Sequence, residues 1–166
     1  MGVYFKIMIF VTVGTQKFQF NRLLKKIDEL VDGKIIKEQI ICQSGYSTYL
    51  PKNYTSVKFM SSNEYEKCIK RCNILITHAG VGTILTAKRF NKTIIVVPRL
   101  EKFKEHVDNH QLQIATDFER KNLVCACNQI QDLDFKIEKA KNQDFDTYES
   151  NNLRFVSFLN NIINNS

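Results

Sequence analysis

Short runs of β-branched and aliphatic residues alternate along this chain with segments whose apolar residues recur at helical spacing. The first run, residues 7–13, is continuous and predicts a strand buried on both faces of a parallel sheet. Further strands are predicted at residues 35–42, 56–59, 74–77, 93–97 and 123–127. Helices are predicted from about residue 23 to Gly33, after a cap at Ser61 or Ser62, over 84–90 and from about 108 to 120. This alternation predicts a Rossmann-like, doubly wound α/β fold whose strand-end loops meet on one rim.

The pattern changes after residue 128. Residues 128–151 are polar and poorly periodic, and a narrow apolar stripe then follows at Phe155, Phe158, Leu159, Ile162 and Ile163. Two interpretations stay open, a helix packed on its own domain and a helix that docks on a second protein. We therefore predict a Rossmann-like domain at 1–128 and a C-terminal element at 129–166, formed by a polar segment and an amphipathic helix.

Composition and charge narrow the class of protein. With 43% hydrophobic and 25% charged residues among 166, the chain is predicted to form one globular domain rather than a disordered segment. The net charge of +7 comes from 24 Lys and Arg that are spread along the chain without a dense run. A diffuse positive field favours phosphorylated ligands or an anionic membrane surface over nucleic acid.

Cysteine usage and the amino terminus indicate a cytoplasmic protein. The five cysteines are odd in number and follow no signal peptide, so reduced, buried thiols are expected. Neither close pair of cysteines has C-x-x-C spacing or a nearby histidine, so no metal site is expected from them. Residues 7–13 are too few to cross a bilayer, and any membrane contact is therefore expected to be peripheral or through a partner.

Two strand-end loops carry glycines that suit phosphate binding. Gly14 and Thr15 follow the first strand, where one glycine permits a phosphate to approach the backbone; a plain tight turn is the alternative. The loop is not G-x-G-x-x-G, which argues against NAD or FAD. Residues 77–83 join a buried strand to a helix, and the amides of Gly82 and Thr83 would point at an anion above that helix. A simple capped connector is the alternative here.

A third loop concentrates hydrogen-bonding side chains. Pro98 and Arg99 are followed by the polar run 105–111 at a helix start, which supplies the directional donors and acceptors that a sugar needs; a solvated helix start is the alternative. The D-x-D pairs at 132–134 and 144–146 lie off any predicted strand end, so a manganese site is not expected there.

Together the three loops resemble the nucleotide-sugar half of GT-B glycosyltransferases in the family 28 C-terminal group, over roughly residues 6–125. The motifs that carry the resemblance lie at 11–15, 78–83 and 98–111. Within this group the chain resembles the small donor-binding subunits of split enzymes. Such subunits include the soluble subunit of the dolichol-linked N-acetylglucosamine transferase and bacterial capsule or exopolysaccharide galactosyl- and glucuronosyltransferase subunits.

The resemblance implies a site as well as a fold. Donor binding is carried over to the positions that match the family motifs: Gly14, Thr15, Gly80, Gly82, Thr83, Arg99, Asp108, Asn109, His110 and Gln111. The first five would face the diphosphate, while His110 and Gln111 would reach the sugar hydroxyls. Family members often carry an acidic residue for the ribose where this chain has Thr86. No catalytic base is assigned, although His78 and Glu105 are candidates for support of the site.

The implied function is that of an inverting, metal-independent and cofactor-free glycosyltransferase subunit. It would bind a UDP-sugar, with galactose in β-1,4 linkage the first choice, and serve a lipid-linked saccharide acceptor in capsular or exopolysaccharide synthesis. The acceptor half would be a membrane-associated partner subunit at the inner face of the membrane, docked on Phe155, Leu159 and Ile162. Two alternatives stay open, a non-catalytic stabilising partner of a glycosyltransferase and a sugar-nucleotide epimerase-like enzyme.

Overall fold

The computed structural model describes residues 6–149 and 152–165. Six strands form one sheet, β1 to β6 in chain order: Met8–Thr12, Gln39–Gln43, Thr55–Val57, Ile74–Thr77, Thr93–Val96 and Cys125–Ala126. Six α-helices, α1 to α6, accompany it: Asn21–Asp32, Ser62–Arg71, Val81–Arg89, His110–Arg120, Leu133–Lys141 and Leu153–Asn164. Two short 3-10 helices cover Glu101–Phe103 and Ile130–Asp132.

The sheet has the topology of a doubly wound nucleotide-binding fold. Every strand pairing is parallel, and the spatial order is β3-β2-β1-β4-β5-β6. The predicted Rossmann-like α/β class is therefore confirmed. The order reverses between β1 and β4, and such a switch point opens a crevice beyond the carboxyl ends of its two central strands. The loops that carry Gly14 and His78 begin at these two ends.

The core is two apolar layers, one on each face of the sheet. Alternate residues of β1 separate them: Ile9 and Val11 belong to the layer covered by α1 and α5, whereas Met8 and Phe10 belong to the layer covered by the other four helices. All five residues of β1 are buried, as the continuous apolar run predicts for a central parallel strand.

Local signals explain most of the element bounds. The cap predicted at Ser61 or Ser62 is at Ser61, in a capping box with Glu64. Helix α3 begins at Val81, earlier than the predicted 84–90. The prediction began too late because Gly80 and Gly82 interrupt the apolar pattern at the helix start. β2 begins at Gln39 rather than 35, because the amide of the buried Ile36 donates to Leu30 O of α1 and not to a neighbouring strand.

Helix α5 was not predicted from the sequence. It lies in the polar segment 128–151, and its Leu133, Ile137 and Ala140 are buried in the Ile9 layer. Three buried apolar residues in a nine-residue helix, with Phe135 exposed between them, form too short a pattern to be recognised as a helix. The division at 128/129 stays a prediction, although α5 packs against β5 and β6 of the preceding domain. Parts of the predicted ranges, residues 1–5, 150–151 and 166, lie outside the described residues.

Helix α6 packs on its own domain. Ile162 is 4% exposed, and Phe158 meets Phe118 of α4 with ring centroids 5.2 Å apart. Phe155 and Leu159 are partly buried against the same layer. The three side chains predicted to dock on a partner therefore face inward, because α4 and the sheet offer them an apolar surface within the chain.

On the outer side of α6, Leu153, Val156 and Ile163 are exposed. Within 6–149 and 152–165, no helix combines the length and apolar composition that crossing a membrane requires.

The place of α5 in the core can be tested with a matched pair of substitutions. Ile137→Ala removes a side chain that is 2% exposed and is expected to lower the free energy of unfolding by about 2–5 kcal/mol. Phe135→Ala, on the same helix but 65% exposed, is expected to change it by no more than about 0.5 kcal/mol. Urea unfolding of both variants measures the difference, and equal effects would show that α5 does not belong to the core.

Candidate functional site

A cleft of about 590 Å³ opens at the switch point between β1 and β4. Of the predicted donor-binding residues, it is lined by five: Gly14, Thr15, Gly80, Gly82 and Thr83. His78 and Thr86 also line it. The two glycine-bearing loops thus come together, as their positions after neighbouring parallel strands predict.

The loop after β1 requires glycine at residue 14. Gly14 has φ +78°, and a Cβ built there would lie 2.5 Å from His78 Nε2. A Cβ on Gly80 would likewise overlap the His78 ring. The imidazole therefore lies between Gly14 and Gly80, and a side chain at either position would overlap it.

Packing gives no such reason for Gly82, in the first turn of α3. Gly80 is the N-cap residue, and no side chain among the described residues caps the helix. A Cβ on Gly82 would meet nothing within 4 Å. Amides in the first turn of a helix lack intrahelical partners and carry partial positive charge. At the cleft, this end of α3 is therefore open to an anionic group.

His78 lies at the bottom of the cleft and is neutral. It is 7% exposed, and its Nδ1 lies 3.3 Å from the side-chain nitrogen of Gln111. Burial, with smaller electrostatic contributions from Arg99 and His106, lowers the pKa of His78 to about 3. The ring can therefore offer one hydrogen-bond donor at neutral pH but no positive charge.

Arg99 and Glu105 are internal residues. The Arg99 guanidinium is fully buried and donates to four backbone carbonyls: Val13, Phe18, Gln19 and Glu105. Glu105 is also fully buried and forms a two-point ion pair with Arg22, with both N···O distances 2.9 Å. Direct donor binding by Arg99 and catalytic support by Glu105 do not fit these placements, because both side chains are engaged inside the fold.

The predicted sugar-binding residues are dispersed around the start of α4. His110 lies in a different groove, between α4 and α6, and Gln111 turns inward with 4% exposure. Asp108 Oδ1 accepts a bond from the His110 amide at 2.9 Å, and Asn109 Oδ1 accepts one from the Glu101 amide at 3.0 Å. These four residues therefore do not line the cleft with the glycine loops, and Asp108 and Asn109 instead bond to backbone amides near the helix start.

The cleft has a second wall that sequence analysis missed. It is formed by side chains from β2, α2 and the segment before α2: Gln43, Met60, Tyr65 and Glu66. Tyr65 packs edge-on against Phe10 and donates to Thr83 Oγ1 at 3.4 Å. No local pattern distinguishes these residues, since which face of α2 meets the cleft depends on how the helix packs.

The described residues contain no cluster of three or more His, Cys, Asp or Glu placed to hold a metal ion. The D-x-D pairs lie elsewhere: Asp134 is on α5, and Asp146 accepts a bond from the Asn122 side chain.

Comparisons with known proteins point to one family. The model of the glycosyltransferase family 28 C-terminal domain matches residues 8–165. UDP-N-acetylglucosamine transferase subunit ALG13 of Candida albicans is 31% identical over 106 residues, which are 64% of this chain and 32% of that protein. The Candida glabrata protein of the same name is 31% identical over 96 residues, 57% of this chain and 45% of that protein. The chain thus covers less than half of each relative.

Solved structures support the fold. The solution structure of ALG13 matches with a TM-score of 0.64 at 19% identity, covering 95% of this chain and 96% of that one. MurG of Acinetobacter baumannii matches with a TM-score of 0.58 at 16% identity, covering 82% of this chain but 42% of MurG. The chain therefore has the fold of one half of a two-domain, GT-B type protein.

Substitutions at two of the glycines test the distinction drawn between them. Gly14→Ala places a Cβ at positive φ against His78 and is expected to destabilise the fold by about 1–3 kcal/mol. Gly82→Ala fills open space in a helical turn and is expected to stabilise it by up to about 1 kcal/mol. Thermal unfolding of both variants measures this, and a loss of stability in Gly82→Ala would contradict an open helix terminus.

Proposed function

Since the chain belongs to the glycosyltransferase family 28 C-terminal domain family, we propose that it is the donor-binding subunit of a glycosyltransferase. The switch-point cleft would hold the diphosphate of a UDP-sugar. The observation that carries this proposal is the uncapped start of α3. Its Gly82 faces open space, and packing within the protein does not require a glycine there.

The diphosphate fits the end of the cleft where α3 begins. Amides in the first turn of α3 and in the Gly14 loop provide donors without desolvating a charged side chain. Neutral His78 lies between these two loops and can add a further donor. Such a cradle stabilises the negative charge that grows on a leaving diphosphate as the bond to the sugar breaks.

The nucleoside fits the opposite wall. Met60 and Tyr65 give this end of the cleft an apolar and aromatic side, which suits a base. Among the described residues that line the cleft, Glu66 has the only carboxylate. Thr86, at the position where the family often has an acid, donates its hydroxyl to Gly82 O at 2.9 Å. We therefore propose that Glu66 accepts hydrogen bonds from the ribose hydroxyls.

The acceptor half and the catalytic base are proposed to come from a second polypeptide. The chain corresponds to one half of a GT-B fold, and the Candida relatives are named as transferase subunits. Within this chain, Glu105 is held in an ion pair and His78 is wedged between glycines. The partner would present a lipid-linked acceptor and hold the complex at the inner face of a membrane. The acceptor hydroxyl would attack the anomeric carbon, and UDP would leave into the α3 cradle.

A binding experiment decides which sugar the donor carries and whether the chain binds a donor at all. The sugar is proposed to be N-acetylglucosamine, because that is the sugar in the names of the relatives. Galactose, for a capsular or exopolysaccharide, is the alternative from the sequence resemblance, and displacement of bound UDP by a panel of UDP-sugars distinguishes the two. A non-catalytic stabilising subunit would bind none of them.

Donor binding by this chain alone is tested at Gly82. Gly82→Asp puts a carboxylate at the positive end of α3, which is expected to stabilise the helix by about 0.3–1 kcal/mol. The same charge repels a diphosphate, so UDP affinity in calorimetric titration is expected to fall by about tenfold or more. Gly82→Asn, of equal size but neutral, is the matched control and is expected to lose much less. Equal affinity of wild type and Gly82→Asp would refute a phosphate site at this helix.

The role of Glu66 in ribose binding is tested by changing Glu66 in the protein and the 2′-hydroxyl in the ligand. Glu66→Gln is expected to weaken UDP binding by roughly tenfold, because a charged acceptor is lost, and to weaken 2′-deoxy-UDP binding less. Lys70→Met is the control: it removes the exposed ion pair to Glu66 but keeps the carboxylate, and it should leave the preference for UDP intact. An unchanged preference in Glu66→Gln would assign ribose recognition to another residue.

A further inference from the structure

Gln111 connects the two strand-end loops beneath the cleft. Its side chain is 4% exposed, and its Oε1 lies 3.1 Å from the amide nitrogen of Ala79 and 3.0 Å from that of Arg99. A backbone amide can only donate, so the atom that faces both amides must be the carbonyl oxygen of the glutamine. The side-chain orientation of Gln111 is thereby fixed by two backbone groups from different loops.

The other end of the same amide meets His78. With Oε1 turned to the backbone, Nε2 of Gln111 lies 3.3 Å from His78 Nδ1. An amide nitrogen can only donate, so Nδ1 must accept, and a neutral imidazole then carries its hydrogen on Nε2. Burial opposes a second proton on the ring and lowers its pKa, and Arg99 and His106 contribute in the same direction.

The Nε2 edge of the ring lies between the two glycine loops. It would be 2.5 Å from a Cβ on Gly14 and 2.7 Å from a Cβ on Gly80, so it occupies the gap that these glycines leave. Gly14, Gly80 and His78 all line the cleft. The hydrogen on Nε2 is therefore located where the two phosphate-facing loops meet.

We propose that Gln111 is a positioning residue that locks His78 in the Nε2–H tautomer and so presents an uncharged donor to an anionic ligand in the cleft. The lock is a property of the free chain, whereas the use of the donor rests on the proposed function. This differs from the sugar contact expected for Gln111 from the sequence, because both of its side-chain polar atoms already have partners inside the protein.

Nitrogen-15 NMR of the histidine rings tests the lock directly. The chain has three histidines, so His106→Asn and His110→Asn variants suffice to assign the signals of His78. The expected result is a neutral ring protonated on Nε2 alone, unchanged between about pH 5 and 8. A ring protonated on Nδ1, a mixture of tautomers or an imidazolium in that range would overturn the proposal.

A conservative variant tests whether Gln111 is the cause. In Gln111→Glu both oxygens accept, so the bonds from Ala79 and Arg99 can persist while the atom facing His78 now requires a donor. A hydrogen is therefore expected to appear on Nδ1. Gln113→Glu, at an exposed position on the same helix, should leave the His78 signals unchanged. Retention of the Nε2–H-only pattern in Gln111→Glu would show that Gln111 does not set the tautomer.

Addition of UDP separates this inference from the proposed function. The expected result is a shift of the His78 Nε2–H signal together with the amides of residues 80–83. Shifted amides with an unmoved Nε2–H signal would overturn the donor role of His78. If nothing shifts although the tautomer is as stated, the proposed donor binding fails and the lock itself stands.

Discussion

The buried guanidinium of Arg99 fixes the loop after β1, which forms one side of the cleft. It is fully enclosed and donates to carbonyls of the loop after β1 and of the segment before α4, with the Phe20 ring 4.8 Å from its carbon. A buried charge is tolerated only where hydrogen bonds replace its water, so these contacts constrain both segments strongly. The backbone amide of Arg99 also donates to the side chain of Gln111, and that side chain contacts His78. The loops at the ends of β1 and β4 are thereby linked to each other beneath the cleft.

This arrangement divides the work between large and small residues. The side chains with the greatest hydrogen-bonding capacity, Arg99, Glu105 and Gln111, are used inside the protein. At the end of the cleft where α3 begins, the surface left for a ligand is made mostly of backbone and small side chains from the ends of β1 and β4 and the start of α3. Backbone donors are held by the fold and lose little entropy when they bind, so the site is preorganised rather than assembled around the ligand.

What the sequence could predict follows from the range of the interactions involved. The apolar run 74–77 matches β4 residue for residue, and strand–helix alternation was enough for the parallel topology. Glycines after β1 and β4 marked the cleft because turn chemistry is local. The fate of Glu105 was not visible, since its partner Arg22 lies 83 residues away. The same holds for Glu66, which faces the cleft through the packing of α2, and for Gln111 and His110, which a helix start turns in different directions.

A neutral cradle has a consequence for turnover as well as for binding. A site that held UDP with several full positive charges would bind the product about as firmly as the transition state, and release would become slow. Partial charges at the start of α3 and one uncharged imidazole donor interact more strongly as negative charge accumulates on the leaving oxygen than with the intact donor. The full positive charge of Arg99 does not line the cleft; it is buried and bonded to backbone carbonyls that include Val13 O. On the proposed function, the cleft thus stabilises the departing diphosphate more strongly than the intact donor.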